Sequence, residues 1–91
     1  MFRPRSSRPL ILLVDDDPFQ SEVASYIAEE LDCDFEFALS GTEALAKVAQ
    51  RAPDVVLLDV KMDDLSGYEV CRRIKTFPET ADTQVLFVTA R

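Results

Sequence analysis

Residues 10–18 read LILLVDDDP: five apolar residues run directly into Asp15, Asp16 and Asp17, and Pro18 follows. A short unbroken apolar run suits a strand buried on both faces, as in parallel sheets covered by helices. Two further runs have the same character, VVLLD at 55–59 and VLFVT at 85–89. A fourth candidate, 34–38, alternates polar and apolar residues with Phe35 and Phe37 on one side, and reads as an edge strand. Helical spacing fills the gaps: Phe19, Val23, Ile27 and Leu31; then Leu45, Val48, Ala49 and Ala52; then Val70, Cys71, Ile74 and Phe77. Each helical segment opens on a capping-box pair, Asp17 with Gln20, Ser40 with Glu43, and Ser66 with Glu69. Pro18 suits a first helical position, where its missing N–H costs nothing. The order β-α-β-α-β-α-β predicts an α/β fold: a parallel sheet with right-handed crossovers and three helices on its faces.

Function follows from where the acids fall. In open parallel sheets ligands bind beyond the carboxyl ends of strands whose connections leave to opposite faces. With strand order 2-1-3-4, the first and third strands are neighbours, and Asp15, Asp16 and Asp59 meet at that crevice. Converging carboxylates repel one another, and protonation or a divalent cation relieves the repulsion. Oxygen donors without imidazole or thiol favour a hard ion such as Mg²⁺. Asp17 is assigned instead to capping the first helix.

Composition narrows the alternatives. Ninety-one residues make one domain, since a core usually organises about 100–200. Hydrophobic residues at 47% and charged residues at 30% fit a globular chain rather than a disordered one. Histidine is absent, which removes imidazole ligands and His-dependent nucleophiles. Cys33 and Cys71 are too few for a disulfide framework or a closed zinc site, so two reduced thiols in a cytoplasmic protein are expected. Arg3, Arg5 and Arg8 fall in the first nine residues, which contain no acid, and residues 1–9 read as a flexible basic arm ahead of a domain at 10–91. That remainder carries seven basic and seventeen acidic side chains, a net −10, which argues against direct nucleic-acid binding. The apolar run after the arm has five residues, short of the about 7–15 of a signal core and the about 20 of a membrane helix.

The stretches LILLVDDDP (10–18), SGTEAL (40–45), DVVLLDVKMDDLSGYEVCRRIK (54–75) and VLFVTA (85–90) together resemble the receiver domain of two-component response regulators. The resemblance covers residues 10–90 and implies the CheY-like, flavodoxin-type sheet order 2-1-3-4. It implies a module that takes a phosphoryl group from a histidine kinase or phosphotransfer protein. By the same likeness Asp59 is the phosphoacceptor, and Asp15 and Asp16 are the acidic pair. Asp16, Asp59 and the backbone carbonyl of Lys61 match the family's Mg²⁺ ligands, and Thr89 its hydroxyl contact to the phosphoryl group. Met62 and Gly67 match the loop after the phosphoacceptor. Asp63 stands where the family usually has proline, and with Asp64 adds negative charge.

The likeness implies further parts with no counterpart in residues 1–91: a fourth helix, a fifth strand ending in a phosphoryl-binding lysine, and a fifth helix. On that reading residues 10–91 are a truncated receiver domain with impaired phosphoryl chemistry. Its exposed sheet surface is expected to pair with a second copy, domain swapping being one route. A catalytically silent oligomerising fragment is the alternative. A third reading, a haloacid-dehalogenase-like phosphatase built on Asp15-x-Asp17, is disfavoured by Pro18 and by the absence of its later lysine and acidic pair.

Overall fold

The computed structural model describes residues 8–62 and 64–88. Four parallel strands form one sheet: β1 (Leu10–Val14), β2 (Asp34–Ala38), β3 (Val55–Leu58) and β4 (Gln84–Phe87), in the order β2-β1-β3-β4. Three helices connect them, α1 (Phe19–Glu30), α2 (Gly41–Gln50) and α3 (Gly67–Thr76), with a 3-10 turn at Pro78–Thr80 before β4. The fold class and strand order are those expected. β3 stops one residue before Asp59, and β4 runs one residue earlier at its start and two earlier at its end than the apolar run suggests.

Register explains how the sheet is divided between its two faces. Ala38, Val14, Leu58 and Phe87 align in one row, and Glu36, Leu12, Val56 and Val85 in the next row on that face. Leu12, Val14, Ala38, Val56 and Leu58 pack with Ala44 and Val48 of α2 and Val70 and Ile74 of α3 into one dry cluster, edged by Met62, Leu65 and Cys71. On the opposite face, in the row Phe37, Leu13, Leu57, Leu86, burial is greatest at Leu13, which is 6% exposed, and least at the edge, where Leu86 is 54% exposed.

α1 lies over the β2–β1 side of that second face and buries Ala28 there. Its large residues do not follow. Phe19, Val23, Ile27 and Leu31, the stripe whose spacing predicts the helix, are all exposed. Ala28 is buried against the sheet, while the bulky stripe stays open to solvent. Leu86 and Phe87 of β4 and the adjoining Val88 are exposed, in keeping with the exposed sheet surface expected from the sequence.

Local chemistry fixes the helix ends. Ser40 and Ser66 cap α2 and α3, each hydroxyl accepting from the amide three residues on. Glu43 completes the box at α2 by accepting from the Leu39 amide at 2.8 Å. The expected Asp17–Gln20 box is not formed: Asp17 accepts from the Phe19 amide at 3.0 Å, and the Gln20 amide goes to the Asp17 carbonyl at 3.2 Å. A tight turn through Pro18 takes up the amide that a box would have used. α1 ends in a Schellman motif, with Asp32 in the left-handed region at φ 56° and the Cys33 amide returning to the Ala28 carbonyl. Arg8 and Pro9, assigned to the arm, are held against this end. Arg8 donates to the Asp32 carbonyl and lies 3.6 Å from the Asp34 carboxylate, while the Pro9 carbonyl accepts from the Asp34 amide. No helix among the described residues is long and apolar enough to cross a membrane.

Glu69, in the first turn of α3, receives both Arg72 and Arg73. Their hydrogen bonds and charges hold its carboxyl down at about 2, below the ordinary 4.5. A depressed carboxyl contributes stability above its ordinary value and loses it as the pH falls through the folded value. We predict that Glu69→Gln removes part of the acid-side loss of stability between pH 4.5 and about 2. Thermal melts across that window check this, and identical pH profiles for both chains would refute it.

Candidate metal centre

Backbone hydrogen bonds at the sheet's carboxyl end set the site before any side chain does. The Asp15 amide donates to the Ala38 carbonyl at 3.1 Å, and the Asp59 amide to the Val14 carbonyl at 3.0 Å. These bonds carry the ladder one residue beyond β1 and β3, so the chain leaves both strands from adjacent points. Ligand atoms of Asp15, Asp16 and Asp59 consequently lie within 4.8 Å of one another. Asp59 is buried, Asp15 half-buried and Asp16 exposed.

The side chains are oriented locally. Asp15 Oδ1 accepts from the Asp17 amide at 2.9 Å, and Asp59 Oδ1 from the Lys61 amide at 3.2 Å. Asp17, although contiguous, turns to the amide at the start of α1. It is outside the cluster, which leaves the phosphatase reading without its second acid. Burial raises the Asp15 carboxyl above its ordinary range. The Asp17 amide opposes that shift, and the charges of Asp59, Asp16 and Asp17 add to it.

The loop after Asp59 is closed tightly on itself. The Gly67 amide donates to the Val60 carbonyl at 2.9 Å, and a Cβ on Gly67 would come within 2.4 Å of the Asp59 carbonyl oxygen. Only glycine permits that approach. Met62 packs against the core, as a flexible apolar side chain filling a gap does. Lys61 is exposed on this loop. Thr89, the expected phosphoryl contact, lies outside the described residues. One contact had no sequence signal: Asp64, read only as extra charge, reaches the start of α2, where its oxygens accept from the Gly41 and Thr42 amides and the Thr42 hydroxyl. Its partners stand more than twenty positions away, and nothing periodic connects them.

The donor set fits a hard divalent ion. It contains three carboxylates, one of them with little access to water, and no soft ligand. A match to the response regulator receiver domain extends over residues 11–91.

The chain belongs to the response regulator receiver domain family.

Solved structures agree with that membership. The receiver's N-terminal domain from Methanoculleus marisnigri JR1 is 40% identical and superposes with a TM-score of 0.83, covering 90% of this chain and 67% of that one. The chemotaxis protein CheY4 of Vibrio cholerae is 27% identical with a TM-score of 0.87, covering 93% and 71%. Among sequences, the DNA-binding dual master transcriptional regulator RpaA of Synechocystis is 37% identical over 82 residues. These cover 90% of this chain and 34% of RpaA, so the chain spans about a third of that relative's length.

Three charges at this spacing should weaken the metal-free receiver fold. We predict that Asp16→Asn raises the melting temperature without divalent cations, by relieving repulsion on the order of 1 kcal/mol, and abolishes stabilisation by Mg²⁺. Paired melts with and without Mg²⁺ check both statements. A variant still stabilised by Mg²⁺ would place the ion elsewhere.

Proposed function

We propose that this receiver domain accepts a phosphoryl group on Asp59 from a histidine kinase or phosphotransfer protein, with Mg²⁺ held by Asp16, Asp59 and the backbone carbonyl of Lys61. The convergence of Asp15, Asp16 and Asp59 at the sheet's carboxyl end carries this reading. In the transfer, a carboxylate oxygen of Asp59 forms the new P–O bond as the P–N bond of the donor phosphohistidine breaks, and the leaving imidazole takes a proton. Mg²⁺, when bound, would neutralise charge on the phosphoryl oxygens.

The chain's own residues supply the rest. The Lys61 amide fixes one oxygen of Asp59, leaving the carboxylate a defined orientation for in-line attack. Asp15 stands beside the pair as a further metal-facing acid. Thr89 is assigned the hydroxyl contact to the phosphoryl group by its match in sequence. Both cysteines are free thiols, which suits the reducing cytoplasm in which we place the protein. Asp59→Ala is predicted to abolish labelling by acetyl phosphate in the presence of Mg²⁺. Incorporated label that persists in the variant would sink the assignment.

We also propose that the chain self-associates through the exposed apolar surface of α1 and of the sheet edge at β4. Phe19, Val23, Ile27 and Leu31 of α1 and Leu86 of β4 are all exposed, and apolar patches of this kind mark association surfaces. Light scattering should return twice the 10.2 kDa chain mass. Replacing Phe19 and Ile27 by Lys should shift the particle toward monomer, whereas a monomer in the unaltered chain would exclude the pairing.

A further inference from the structure

The loop from Val60 to Ser66 contains neither proline nor glycine, so its shape must come from contacts rather than from restricted backbone angles. Met62 and Leu65 pack against the core, and hydrogen bonds of the described residues hold it at three points. The Lys61 amide binds the Asp59 carboxylate, the Gly67 amide binds the Val60 carbonyl, and Asp64 reaches across to α2. The last is the one that ties the loop to α2.

Its partners are the orphan donors of a helix start. α2 leaves its first amides without intrahelical acceptors. Ser40 takes that of Glu43, while Asp64 takes those of Gly41 at 3.0 Å and Thr42 at 2.8 Å, together with the Thr42 hydroxyl at 2.7 Å. The Thr42 hydroxyl, then the two amides, hold the Asp64 carboxyl well below the usual carboxylate range, so the contact is made by the charged form. Packing reinforces it at the same point. A Cβ on Gly41 would meet Leu65 Cβ at 2.8 Å and Val70 Cγ2 at 2.9 Å, so the start of α2 presses against the loop and α3.

We propose that Asp64 is a positioning residue for the metal centre: by clamping the loop to the start of α2 it fixes Lys61, and through the Lys61 amide the orientation of Asp59. This rests on the reading of the site given above. Asp64 stands outside the acidic cluster, its carboxylate taken up at the start of α2. Groups that orient ligands commonly carry about 10-fold or more in metal affinity. Asp64→Ala is therefore expected to weaken Mg²⁺ binding about 10-fold. Asp64→Asn retains one acceptor oxygen and should recover part of the loss. Thr42→Val should give a smaller loss, and none beyond that of Asp64→Ala when the two are combined, because both remove the same contact.

The test is a Mg²⁺ titration of the intact chain followed by amide NMR, with hydrogen exchange at Thr42 and Lys61 recorded without metal. Faster exchange at both amides and weaker binding in Asp64→Ala, partly restored in Asp64→Asn, support the clamp. Unchanged Mg²⁺ affinity in a folded Asp64→Ala chain overturns it, even if the melting temperature falls. Should that variant not fold, Thr42→Val and Asp64→Asn decide, and unchanged affinity in both overturns it equally. An unaltered chain that binds no Mg²⁺ overturns the site reading and the clamp together, whereas normal binding with an indifferent Asp64 removes the clamp alone.

Discussion

Two backbone hydrogen bonds, from Asp15 to the Ala38 carbonyl and from Asp59 to the Val14 carbonyl, force like charges together. Carboxylates left to themselves would separate, and in an unfolded chain Asp15 and Asp59 would do so. They are held close because the strands beneath them cannot slide without shifting alternate side chains out of a dry core. The sheet therefore does work against electrostatic repulsion, which a doubly charged cation at the cluster would relieve. Fold and chemistry are linked at this point: hydrophobic packing below the tips supplies what the charges above them cost.

The same logic accounts for the division of labour among three consecutive aspartates. Asp15 and Asp16 stay with the cluster, while Asp17 goes to an amide at the start of α1. The Asp17 amide in turn donates to Asp15, so the turn that aims one acid away also fixes another in place. Composition makes the three look interchangeable. Their distance from the last strand hydrogen bond makes them different.

The sheet order, the three helices and the acidic cluster were legible because each rests on a local signal or on a rule of parallel topology. LILLV and VVLL announce buried strands, and right-handed crossovers leave few ways to order them. The capping box at Ser40 was legible for the same reason. Failures fell where the outcome depends on tertiary partners. The stripe Phe19, Val23, Ile27 and Leu31 marks a helix correctly, yet periodicity cannot say which face meets the sheet, and Ala28 rather than the stripe is buried. VLFV announces a strand, and the openness of Leu86 and Phe87 is that of the exposed sheet surface the family resemblance implies. Asp64 was invisible because its partners belong to a helix brought near it only by the fold.

The two faces of the sheet differ in a way that bears on how the site is supported. Beneath the cluster, on the α2–α3 side, Val14, Ala38 and Leu58 are fully buried under these two helices. α3 begins at Gly67, against the Asp59 carbonyl, and α2 begins where Asp64 holds it. On the α1 side the row runs from half-buried Phe37 through buried Leu13 and half-buried Leu57 to exposed Leu86. Rigidity at the site therefore comes from one face of the molecule. The other face leaves apolar area exposed and contributes the acids of the β1–α1 turn. A change that loosens α2 or α3 should reach Asp59 through the loop from Val60 to Ser66, which both helices touch, whereas one that covers the α1 face can add stability while leaving that loop as it is.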